Sequence, residues 1–141
     1  MSSTDEADAK MVEFAIVNPD DVDAEPFPES GLLHRKLTGP LQCSAMRLNT
    51  VTLAPGEQTA PHTHERQEEV YVALDGGHVQ LNGNVHELSP RGIVRIAPAV
   101  ERSVRNDTGD TDQTWLMIGA PPHGTVEDFG EYRMPRPDEN E

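Results

Sequence analysis

Turn-forming residues punctuate the middle of this chain at short intervals: Thr38-Gly39-Pro40, Ala54-Pro55-Gly56, Asp75-Gly76-Gly77, Asn82-Gly83, Ser89-Pro90-Arg91-Gly92 and Asn106-Asp107-Thr108-Gly109-Asp110. Nothing between them sustains a helical period, and residues 70–74 alternate, with Val70, Val72 and Leu74 on one face and Tyr71 and Ala73 on the other. Asn82-Gly83 separates two apolar segments, 78–81 and 85–88, and supplies the positive φ angles of a type I′ hairpin. Further strands are predicted over 12–17, 32–37, 44–53, 93–96, 102–106 and 114–119. Many short strands joined by Gly, Pro and Asn turns make an all-β antiparallel sandwich or barrel.

With 141 residues the chain is large enough for one core. We divide it into an acidic N-terminal arm (1–30, of which 1–10 lack any apolar period), a barrel (31–120) and an acidic C-terminal tail (121–141). Three large apolar residues in that tail, Phe129, Tyr132 and Met134, are expected to pack over the barrel or a partner subunit. The formal charge of −14 divides into −8 for residues 1–29, −2 for 30–120 and −4 for 121–141. Neither arm offers the basic face that displaces counterions from phosphates, which argues against a nucleic-acid partner. Nine arginines against two lysines, with many acids, suit a halophilic source, where molar salt screens the self-repulsion; solvated acidic tails account for the charge equally well.

Cys43 is the only cysteine, so an intrachain disulfide and a cysteine-based zinc site are excluded. The acidic N-terminus lacks the features of a signal peptide, and no apolar run approaches the ~20 residues of a membrane span. A cytoplasmic protein without membrane contact is expected.

Metal-binding side chains gather in residues 56–76. Strand alternation points His62 and His64 to one face and Thr63 to the other, and a carboxylate from the neighbouring strand would complete a two-histidine, one-carboxylate set with open metal positions. Glu69 is the candidate; Glu68 beside it leaves a one-residue ambiguity of register. The alternative is a set of hydrogen-bonded interior polar residues without metal. His34, His78, His86 and His123 lie outside this cluster and are assigned no ligand role.

Gly56, His62, His64, Glu69 and Gly76 fit every position of the first motif of the cupin superfamily, G-x5-H-x-H-x3–4-E-x6-G, so residues 44–120 resemble that superfamily. The resemblance implies a double-stranded β-helix, or jelly-roll barrel, with irregular arms and a site inside its mouth. It also implies a divalent ion such as Mn, Fe, Ni, Zn or Cu on His62, His64 and Glu69. The second motif, G-x5-P-x-G-x2-H-x3-N, is partial: Gly92, Pro98 and Asn106 fit, but Arg102 stands where the family carries a fourth ligand, a histidine.

Arginine cannot ligate a metal, because it stays protonated. Either three ligands remain with open positions, or the guanidinium disfavours a cation and receives an anion. Arg95 and Arg105 would add to that field, and Glu101 is a possible substitute oxygen ligand. The expected function is a stand-alone cupin that binds a divalent metal and a small anionic molecule, with Arg102, Glu68 and Tyr71 as ligand contacts. The alternatives are a metal-free binding or stabilising module in which Arg102 pairs with Glu69, and a metal-dependent oxygenase or sugar isomerase. A homodimer is expected, with Phe14, Phe27, Phe129 and Tyr132 as interface anchors.

Overall fold

The computed structural model describes residues 13–28 and 30–122. Among these residues nine strands form two antiparallel sheets. In chain order they are β1 (Glu25–Pro26), β2 (Leu33–Lys36), β3 (Arg47–Leu53), β4 (Glu68–Ala73), β5 (Gly77–Leu81), β6 (Asn84–Leu88), β7 (Gly92–Ile96), β8 (Arg102–Arg105) and β9 (Gln113–Ala120). A short helix, α1 (Thr38–Leu41), occupies the break predicted at Thr38-Gly39-Pro40 and ends on Gln42 with φ 57°. The larger sheet has the order β1-β2-β3-β9-β4-β7 and the smaller one β6-β5-β8. This is the expected all-β jelly roll.

The predicted hairpin closes β5 on β6, with Asn82 at φ 49° and Gly83 at φ 86°. Alternation predicts burial well in β4 and β9, two mutually paired interior strands of the larger sheet. Glu69, Tyr71 and Ala73 of β4 and Gln113, Trp115 and Met117 of β9 turn inward. The inward side chains of β3, β4, β5, β8 and β9 meet in one core, in which Leu53, Ala73, Val79, Val104 and Trp115 have no exposed surface. Each large apolar side chain so buried contributes about 1.5–3 kcal/mol.

Of the strand expected over 12–17, the described residues 13–17 pair with no strand, and Phe14 and Ile16 are 75% and 89% exposed. Among the described residues, β1 already occupies the β2 edge that such a strand would need. Phe27 stacks on buried His34 with ring centroids 4.2 Å apart and packs against the core, so its aromatic face is engaged within the chain. The expectations for residues 1–10, Val12, His123, Phe129, Tyr132 and Met134 fall outside the described residues.

Candidate metal centre

Residues 56–64 lie along the open edge of β8 and thereby extend the smaller sheet. Gly56 N donates to Asn106 O (2.9 Å), Thr59 N to Val104 O (3.0 Å), and His62 and Arg102 exchange both backbone bonds at 3.1 and 2.9 Å. Directly paired residues on antiparallel strands present their side chains on one face. The pairing therefore fixes Arg102 beside His62. Beyond that point His64 N donates to Pro98 O at 2.9 Å, and the chain crosses to the larger sheet and enters β4.

The crossing brings three ligand types together. One donor atom from each of His62, His64 and Glu69 lies within 4.8 Å of the others, and they form the one such group of three or more among the described residues. His64 Nε2 is 3.2 Å from Glu69 Oε1. That separation suits two ligands of one ion at bond lengths of about 2.0–2.2 Å. His62 Nδ1 lies 3.0 Å from Ala60 O. Donation to that carbonyl fixes the tautomer and leaves Nε2 with its lone pair, the usual way a protein orients a ligating imidazole. The donor set therefore fits a divalent ion held by two imidazoles and a carboxylate.

Four side chains converge on Glu69. Tyr71 OH donates to Oε1 at 2.8 Å, Arg102 Nη1 to the same oxygen at 2.8 Å, and Gln67 Nε2 approaches Oε2 at 3.5 Å, with His64 as the fourth. Arg102 is fully buried, and each of its three nitrogens has a protein acceptor. Nε donates to Val100 O (2.9 Å), Nη2 to Ala97 O (2.7 Å) and Pro98 O (3.4 Å), and Nη1 to Glu69.

These surroundings set the protonation states. Burial pushes the Glu69 carboxyl up, but the hydrogen bond from His64 and the charges of His64, Arg102 and His62 outweigh it, so the group is held below the usual carboxylate range. Burial lowers the His62 imidazole to about 4, with Arg102 and His64 adding to the effect against the opposing pull of Ala60 and Glu69. Burial, joined by the Glu69 charge, raises the Tyr71 phenol well above its ordinary value, so it remains a proton donor to Glu69 at neutral pH.

The remaining candidates lie elsewhere. Glu68 is on the outer face of β4, exposed, and pairs with exposed Arg95 at 2.9 Å, so the register ambiguity resolves in favour of Glu69. Arg105 pairs with Asp107 at 3.2 Å. Glu101 stays on the Asn82 turn, where its backbone N donates to Asn82 Oδ1 at 3.0 Å. Asn106 is fully buried and ties β3 to the following loop, its Nδ2 donating to Leu53 O (2.9 Å) and Thr111 O (2.7 Å).

Gln67 is the residue that motif reasoning missed. It has no exposed surface and packs over Gly119, where any Cβ would collide with its amide. Parity is the signal that could have found it, since 67, 69, 71 and 73 share a face.

The described residues contain no helix long and apolar enough to cross a membrane. No curated protein sequence matches the chain. Among solved structures, a cupin-superfamily sugar phosphate isomerase from Silicibacter pomeroyi superposes with a TM-score of 0.68 at 18% identity, covering 87% of this chain and 93% of that one. A predicted oxalate decarboxylase from Thermotoga maritima gives 0.65 at 19% identity, over 75% of this chain and 98% of that one. The polyketide cyclase RemF from Streptomyces resistomycificus gives 0.62 at 23% identity, over 81% and 89%. Identities this low speak for the fold, and the fold hosts several chemistries. The family model described as the cupin domain matches residues 49–119, half of the chain and all of the site described above, and the protein belongs to the cupin family.

Proposed function

We propose that this cupin holds a divalent metal ion on His62, His64 and Glu69 and binds a small anionic molecule at the positions the protein leaves open. The convergence of three ligand atoms within 4.8 Å, with His62 oriented by Ala60 O, carries this reading. A metal there supplies a Lewis-acid or oxygen-binding centre. The chain's own residues prepare for it: His62 stays neutral down to about pH 4, Glu69 stays ionised, and Tyr71, Gln67 and Arg102 lock the carboxylate in place. Two activities fit this reading, a metal-dependent oxygenase and a sugar isomerase.

A second reading rests on the buried contact between Arg102 Nη1 and Glu69 Oε1 at 2.8 Å. It makes the barrel a metal-free binding module whose site is closed by that ion pair. Elemental analysis of protein purified without a metal-affinity column separates the two. We expect metal approaching one equivalent that disappears when His62 and His64 are both replaced by Ala. Protein free of metal, with a melting temperature unmoved by added Mn, Fe, Ni or Zn, would leave only the second reading.

A further inference from the structure

The residues around Glu69 set an unusual charge balance, and the inference drawn from it rests on the metal-site reading above. Arg102 is buried against Glu69, so the fixed positive and negative charges of the site cancel before any ion arrives. Of the other side chains on Glu69, Tyr71 and Gln67 are neutral hydrogen-bond donors and His64 is itself one of the ligand group, and among the described residues no second carboxylate joins that group. A divalent ion entering this pocket therefore brings two charges that nothing in the protein offsets. In a buried setting that is a heavy penalty, and it is relieved by an anion on the metal itself. Direct capture by the guanidinium is not needed, because the nitrogens of Arg102 already have acceptors in Glu69, Val100, Ala97 and Pro98.

We propose that the buried Arg102–Glu69 pair couples metal binding to anion binding, so that a divalent ion and a small chelating carboxylate or oxyanion enter the site cooperatively. Arg102 acts as a fixed charge at one carboxylate's remove, a positioning and coupling role. Coupling of this kind is reciprocal: the anion tightens the metal by the factor with which the metal tightens the anion.

The test is calorimetric titration of chelator-stripped protein with Mn2+, with and without malonate, analysed at equal free metal concentration. Malonate should tighten Mn2+ by about tenfold, within the usual range of site-to-site coupling. Arg102→Gln removes the charge but keeps an amide donor for Glu69. It should bind Mn2+ alone more tightly than wild type and lose most of the malonate effect, whereas Arg102→Lys, which keeps the charge, should retain it. Equal Mn2+ affinity with and without malonate in the wild type overturns the coupling and leaves the metal site standing. Binding of no Mn2+ under any condition overturns both. A malonate effect undiminished in a folded Arg102→Gln protein shows that Arg102 is not its source. If that variant does not fold, the wild-type pair of titrations decides the coupling by itself.

Discussion

Two arginine–glutamate pairs flank β4, one on each face. Arg102–Glu69 inside the barrel and Arg95–Glu68 outside it have nearly equal lengths, 2.8 and 2.9 Å. The inner side chains are 0% and 8% exposed, the outer ones 64% and 54%. Length therefore says little about consequence. Water solvates both outer groups whether or not they touch, and the pair is worth about 0–1 kcal/mol. Inside, each partner offsets part of the other's desolvation, and losing one strands a charge.

The comparison breaks most sharply on Arg102→Met. Glu69 is then left buried with its neutral donors and His64, and urea unfolding of metal-stripped protein should show a loss of about 3–5 kcal/mol, the usual penalty for an orphaned buried charge.

Acidification comes next. The folded His62 has a pKa of about 4 against 6.5 for the free side chain. Between those values the unfolded chain binds the extra proton, so stability is full above pH 6.5 and declines as the pH falls towards 4. The loss should reach about 3 kcal/mol, and Glu69, whose pKa is lowered on folding, adds to it below pH 4.5. Stability against pH for wild type and His62→Ala checks this, since the variant should be flatter across that window.

Tyr71→Phe removes one donor from Glu69 and leaves the ring against Trp115, whose centroid lies 6.3 Å away. About 1–2 kcal/mol should be lost in urea unfolding. Glu68→Ala, on the outer face, should change stability by less than about 0.5 kcal/mol and leave metal content unaltered. An effect as large as that of Arg102→Met would end the contrast between the faces.

Much of this architecture was legible before the fold. Asn82-Gly83 specified a hairpin because the φ angles it adopts depend on two residues and nothing distant. Parity along β4 put Glu69 and Tyr71 on one face and Glu68 on the other, but which face turns inward was a matter of register that the sequence left open. The strand expected at 12–17 failed because alternation describes a segment's faces and leaves open whether a free edge exists to receive it; here β1 occupies that edge.

The chain by itself thus determined a β-rich fold, the spacing of His62, His64 and Glu69, and the substitution of Arg102 for a histidine, since all of these are properties of neighbouring residues. Only the tertiary structure decided what that arginine does. Its charge is answered by a carboxylate thirty-three residues away and by the carbonyls of Ala97, Pro98 and Val100. Whether a guanidinium faces a ligand or a glutamate depends on which strands the barrel closes together, and such non-local pairing leaves no trace in local pattern.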